Sequence, residues 1–430
     1  MLRHILAWVS AVAVVLAVTS PAPAQSTLRK DRASVSQKGS LLVFPAVEIK
    51  WDVDGVVTQD TLLSLANDYP DDVYIQLYMV NGDAPLDAVI DEKTEEILEP
   101  EHPGWNWADC QMLLTPNQPT YWSALTGLPA GCQPFTVLDD SVPMGRPDLE
   151  GPPGSRVLRG FLVAWAVDVR GHEIRWNHLS GSAMTVDYSV TTAWEYNAYA
   201  FQARSSEHGQ ETDQVPGVLR LDGFEYDIPY EKLFMMFYAT GAQFMTATRG
   251  LTVIDTDVTL MPVTADLRQD TVGPITTKAK FDIWNMNETR FSGTERCVTC
   301  WDQTLMSNYE VPNNFLRQHL QTDVGKARID GIASIRCDTG DCFERTGDFG
   351  IPGVCSVNAA LLGVTNKLLA IDGTSCANDA AAGSTLVGMG EEAALILYDI
   401  ISPPTELRSP GADRIERLSA PTRRSKQRPR

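Results

Sequence analysis

The sequence predicts an all-β protein, built as two antiparallel β-sandwiches of the immunoglobulin-like type with long irregular loops and a disordered C-terminal tail. Two observations carry this. Short runs rich in Val, Ile, Leu, Phe, Tyr and Trp recur along the chain, separated by Gly, Pro, Asn and Asp turn clusters. Only residues 314–320 have helical character, so no strand–helix alternation points to a parallel sheet.

The elements follow in order. Residues 41–51 read as the first strand, with Pro45 confining it to an edge or to a bulge because proline has no N–H for the ladder. A turn through Asp52, Asp54 and Gly55 leads into residues 60–67. Turn chemistry at residues 67–72 then precedes a strand over 73–80 that ends at Asn81 and Gly82. Residues 83–154 are acidic and proline-rich, with 118–122 as a short edge strand. The run 160–167 and the segment 172–179 are predicted to form a hairpin, and residues 183–203 to supply the last strands of the first sandwich. The second set comprises 233–238, 251–260, 278–285, 304–307, 326–333, 361–369 and 393–398.

These readings place a first domain over residues 39–206, a polar linker over 207–217 and a second domain over 218–401. Residues 25–38 are expected to be a flexible N-terminal segment. Residues 402–430 hold eight basic side chains among prolines and read as a disordered basic tail.

The first 24 residues carry a signature of export. Arg3 and His4 precede an apolar run that ends near Ser20, followed by Ala22 and Ala24 around Pro23, which predicts a signal peptide cut after Ala24. The run is about 14 residues, whereas a spanning helix needs roughly 20. A secreted, periplasmic or cell-surface location follows as the expectation. The formal charge of −20 opposes binding to phosphate backbones, so a nucleic-acid function is excluded. The basic tail reads as a solubilising extension, with contact to an anionic envelope polymer or to the acidic body of the protein itself as the alternative.

All eight cysteines, Cys110, Cys132, Cys297, Cys300, Cys337, Cys342, Cys355 and Cys376, lie after the leader and are expected to form disulfides. Cys110 pairs with Cys132 on this reading, as the first domain has no other cysteine. The Cys297/Cys300 and Cys337/Cys342 pairs also have a loose zinc-like spacing, which an oxidising compartment disfavours.

Several segments, residues 39–51, 61–81, 114–119, 177–181 and 259–262, resemble a group of bacterial exported proteins of unassigned function. The resemblance covers most of the chain after the leader. It implies an envelope or extracellular setting and carries over no activity and no site.

Motifs for catalysis are missing from the sequence: there is no G-x-S-x-G elbow, no H-E-x-x-H and no phosphate-cradling glycine loop. The expected function is therefore a non-enzymatic adhesion, scaffold or recognition role, with a cell-surface or extracellular protein or glycan as partner. A second reading is a carbohydrate-binding or carbohydrate-processing module using Trp105 and Trp107, which sit on a Pro-Gly loop where a core role is least expected. A third is a metal-dependent enzyme built on His172 and His178, whose even spacing would put both on one strand face. Calcium is the cofactor considered, held by turn carboxylates at Asp52 and Asp54, at Asp68, Asp71 and Asp72, or at Asp338 and Asp341.

Overall fold

A computed structural model describes residues 33–35, 37–212, 219–246, 250–263, 267, 274–309, 313–334, 357–371, 375–383, 385–386 and 401–402. The fold is all-β and of the sandwich type, made of several antiparallel sheets. In chain order the strands of the first part are β1 (Leu41–Trp51), β2 (Val57–Asn67), β3 (Val73–Asn81), β4 (Val89–Ile90), β5 (Ile97–Glu99), β6 (Trp107–Leu114), β7 (Pro119–Ser123), β8 (Arg146–Pro147), β9 (Arg156–Val167), β10 (Leu179–Asp187), β11 (Thr192–Asn197) and β12 (Tyr199–Phe201). Those of the second part are β13 (Leu233–Tyr238), β14 (Gln243–Thr246), β15 (Gly250–Val263), β16 (Thr276–Asn285), β17 (Arg290–Thr299), β18 (Asp302–Leu305), β19 (Val324–Ile332), β20 (Ala360–Ile371), β21 (Ser375–Ala382), β22 (Thr385–Leu386) and β23 (Ile401–Ser402). One helical turn, Arg317–Leu320, falls inside the segment with helical character. No helix among the described residues is long and apolar enough to cross a membrane.

The first sheet runs β11-β10-β2-β1-β9-β3-β6, with β12 also on β1, β7 on β2 and β8 on β9. β1 and β2 are paired only at their turn end, Lys50 with Gln59 and Trp51 with Val57. Beyond that corner they part, and the sheet folds over itself around a core of Leu42, Phe44 and Ile49 of β1, Ile75 and Leu77 of β3, Leu63 and Leu65 of β2, Trp122 and Trp194.

The continuous apolar run of β1 has its reason in the other face. Leu41 and Val43, with Phe161, Val163 and Trp165 of β9, pack against Tyr199, Phe201, Met261, Trp301 and Leu362. Both faces of β1 are covered, so every residue from Leu41 to Ile49 is buried. Pro45 sits at a bulge in this central strand, where the register with β9 shifts between Phe44 and Val47, and its carbonyl accepts the indole N–H of Trp301 at 2.6 Å. Gly160 keeps β9 close to β3, since a Cβ there would lie 2.0 Å from the Val80 carbonyl oxygen.

In the second part, the sheet β17-β16-β19-β13-β22 packs on β15 and β20. Phe237, Phe281 and Phe315 meet edge to face, with centroids 5.1 to 5.3 Å apart. Each such fully buried aromatic contributes about 1.5–3 kcal/mol through lost apolar surface. Residues 1–24, the segment 393–398 and the basic residues beyond Ser402 lie outside the described residues.

Two local expectations change. The hairpin after β9 is shorter than expected: Val167 bridges Glu173 antiparallel and Ile174 donates its N–H to the Ala166 carbonyl at 3.1 Å, but this pairing stops at Ile174 and β10 begins only at Leu179. Asp168 Oδ1 closes the turn by accepting the backbone N–H groups of Arg170 at 2.8 Å and His172 at 3.0 Å. The curled segment then pairs with 205–212 through the Ile174–Glu211 bridge. The segment before Gly39 is docked from Ala33, which is buried and donates its N–H to the Ile228 carbonyl at 3.0 Å.

Candidate functional site

Strand alternation builds an exposed polar-aromatic strip on β3 and β6. Val73, Ile75, Leu77 and Met79 of β3 turn into one core, so Tyr74, Gln76 and Tyr78 lie on the opposite face, half-buried, with Tyr74 and Tyr78 packed against the second core. Register pairs Tyr74 with Leu113, Gln76 with Gln111, Tyr78 with Asp109 and Val80 with Trp107. Trp107, Asp109, Gln111 and Leu113 are all exposed, and β6 ends the sheet path.

Trp107, 44 % exposed, stacks on Tyr78 with centroids 5.0 Å apart and planes 7° from parallel. Tyr78 in turn meets the buried Trp165 edge-on at 4.9 Å. The outward ring is thus backed by two more, which holds it flat and in place. Beside it, the Gln76 amide donates to Asp109 Oδ2 at 3.1 Å. A flat ring flanked by amide and carboxylate groups can stack on an apolar sugar face and hydrogen-bond its hydroxyls. Cys110 faces the opposite way on β6 and is bonded to Cys132, which ties the strand to the following loop.

Of the two tryptophans singled out in the sequence, only Trp107 stands on this strip. Trp105 takes a positive φ of 53° and packs, partly buried, against the core. Tyr78, Gln76 and Asp109 were not singled out, although the alternation of residues 107–113 is readable once β6 is recognised as a strand.

The turn carboxylates serve the backbone. Asp52 Oδ1 accepts the N–H groups of Asp54 and Val56, both at 2.9 Å, as expected of an Asx turn, and Asp54 is exposed. Asp68 meets Lys38 and the His178 ring. Asp338 and Asp341 lie outside the described residues.

His172 and His178 belong to different clusters. His172 lies with Asp168 and Glu211, whose ligating atoms fall within 4.8 Å of one another. Arg170 already bridges both carboxylates of that group. Hydrogen bonds from the His172 N–H and from Arg170 outweigh partial burial and hold the Asp168 carboxyl below its ordinary range. His178 instead stacks with Tyr69 at 4.4 Å and lies 5.2 Å from His208. Burial, and then the Lys38 charge, push the His178 ring downward. Burial and the neighbouring His178 do the same to His208. The sequence-based pairing of His172 with His178 fails because the chain between them is no continuous strand: only 173–174 form bridges, and 177–178 turn.

The cysteine expectations divide. Cys110–Cys132 forms as expected, and Cys297 is disulfide-bonded. Cys300 is a correction: its thiol is free and buried, and burial pushes it up to about 12, which leaves no thiolate for exchange or for zinc. Since Cys297 is disulfide-bonded and Cys300 is free, the two are not bonded to each other. Cys337, Cys342 and Cys355 lie outside the described residues, as does the side chain of Cys376 on β21.

No family model matches the chain, and no curated protein matches it.

Proposed function

We propose that this is an exported, non-enzymatic recognition protein that holds a cell-surface or extracellular glycan against the outer face of β3 and β6. The observation that carries this reading is the stack of Trp107 on Tyr78 beside Gln76 and Asp109. The ring is held by the sheet behind it, so little ordering entropy opposes binding. The leader-like N-terminus and the acidic composition fit a secreted, periplasmic or surface location, and the basic tail fits attachment to an anionic envelope polymer.

Calorimetric titration of the protein with soluble neutral oligosaccharides tests this. Trp107→Ala should weaken binding at least about tenfold, equivalent to 1.4 kcal/mol, while leaving the fold unchanged. Binding that is absent, or unaffected by Trp107→Ala, removes the reading.

A protein partner is the second reading, favoured by the two-stranded finger β4–β5. Val89, Ile90, Ile97 and Leu98 on it are each more than half exposed. Adjacent exposed apolar side chains of this kind mark interaction surfaces. Cross-linking from the finger to an envelope protein, lost on changing Ile90 and Leu98 to Ser, would support it.

A further inference from the structure

Between β1 and the β15–β20 sheet lies a polar cluster that the glycan reading does not use. Asp257 of β15 stands directly opposite Asn366 of β20, and Thr259, two residues on, stands opposite Gln303 of β18. Residues two apart on a strand and residues directly opposite across it share a face, so Asp257, Gln303 and Asn366 project together. Gln303 and Asn366 are 5 % and 7 % exposed. Glu48, 5 % exposed, comes from β1 on the other side, and its charge is felt at Asp257.

The hydrogen-bond accounting here is incomplete in one direction only. Gln303 spends its amide N–H on Asp257 Oδ2. Asp257 Oδ1, Gln303 Oε1 and Asn366 Oδ1 are all sequestered acceptors with no donor. Of the nearby cations, Arg159 pairs with Asp83, Arg296 with Asp302 and Lys367 with Asp379, while Lys50 lies in the cluster, 3.2 Å from Glu48 Oε1 with its charge felt at Asp257, yet donates to none of the three orphan oxygens. The Lys50 side chain is one-third exposed. Several buried oxygens facing one another without a proton donor are unfavourable unless a cation or a proton joins them.

We propose that Asp257, Gln303 and Asn366, with Glu48 across the interface, form a calcium site of hard oxygen ligands. Carboxylate and carboxamide oxygens are the ligand type calcium takes, at six to eight positions that water completes. Magnesium, which demands tighter octahedral geometry and sheds water reluctantly, is disfavoured at a site drawn from four separate strands. Neutralisation here would join β1 of the first sheet to β15, β18 and β20. The site is distinct from the Asp52–Asp54 turn, whose carboxylate is already used by backbone N–H groups.

Thermal unfolding of the full chain, stripped with EDTA and returned to calcium chloride or magnesium chloride, tests the proposal. At a calcium concentration about 100-fold above Kd, the midpoint should rise by at least ~2–3 °C, with a smaller rise in magnesium. Asp257→Asn and, separately, Gln303→Ala should abolish the calcium shift, and Asp52→Asn should retain it. Calorimetry should give one ion per chain for the wild type and none for Asp257→Asn, a readout that survives if a variant changes the midpoint for other reasons. No calcium shift in the wild type, a shift kept by Asp257→Asn, or a shift lost only in Asp52→Asn overturns the proposal.

Discussion

The Tyr199 hydroxyl of β12 donates to the Gly363 carbonyl of β20 at 2.6 Å and accepts the N–H groups of Gly363 at 3.0 Å and Gly383 at 2.9 Å. One buried oxygen thus satisfies backbone groups on both β20 and the end of β21, 164 and 184 residues away in sequence. Tyr199→Phe keeps the ring and its packing but strands those groups away from water. The expected cost is about 2–3 kcal/mol, read as a lower midpoint in urea unfolding with an unchanged slope.

The Cys110–Cys132 bond closes a loop with a sequence separation of 22. By the chain-entropy relation, removing it in Cys110→Ser/Cys132→Ser should cost about 3 kcal/mol. Cys300→Ser, which breaks no bond, should leave the reduced and oxidised proteins differing as before. Unfolding with and without reductant separates the two.

Asp257 is pushed up to about 7, first by burial and then by the Glu48 charge. The folded state therefore holds a proton that the unfolded chain releases near the ordinary value of 3.8. Where the folded state binds more protons, stability falls with rising pH, so this group lowers stability between about 4 and 7 and adds no further slope above that. In EDTA, Asp257→Asn should be more stable than the wild type at pH 8 and lose the advantage near pH 4. A difference that does not vary with pH would contradict the assignment.

At the base of the finger, Arg156 donates to both oxygens of Glu99, each at 2.9 Å, and Glu99 also meets the buried His102 ring at 2.7 Å. The Arg156 hydrogen bonds hold the Glu99 carboxyl below its usual 4.5 despite partial burial. A depressed carboxylate stabilises the fold above its unfolded value and loses this as pH falls through the folded one. Arg156→Gln should thus loosen β4–β5 at neutral pH and flatten the acid side of its profile. Tryptic cleavage after the exposed Lys93 should accelerate several-fold.

Trp107→Ala should barely move stability, by about 0.5–1.5 kcal/mol, because the ring is half in solvent and only its stack on Tyr78 is lost. Trp165→Ala, under the same stack but buried, should cost about 3–5 kcal/mol. Urea unfolding of the two variants checks the contrast.

What was legible in the sequence is local periodicity and its punctuation. Residues 41–51, 73–80, 160–167 and 233–238 lie in β1, β3, β9 and β13 because a run of β-branched and aromatic residues bounded by turns has no competing helical pattern. Pro45 announced a bulge or an edge. Covering both faces of β1 with distant strands selected the bulge. The Cys110–Cys132 pair was readable from position alone.

The sites depended on partners far away in the chain. Trp107 was visible as a residue, but its standing as a platform needs Tyr78 and Trp165 behind it. The two histidines six residues apart were separated because the chain between them bridges Val167 and Glu211 at 173–174 and then turns at 177–178, pairings no spacing rule contains. By itself the sequence determined that this chain makes strands, because side-chain shape and alternation act over a few residues. Which buried oxygens lack a donor, and which rings stay in water, only the tertiary structure decided, since those depend on what distant segments are folded against them: Asp257 meets the Glu48 charge only across the sheet interface.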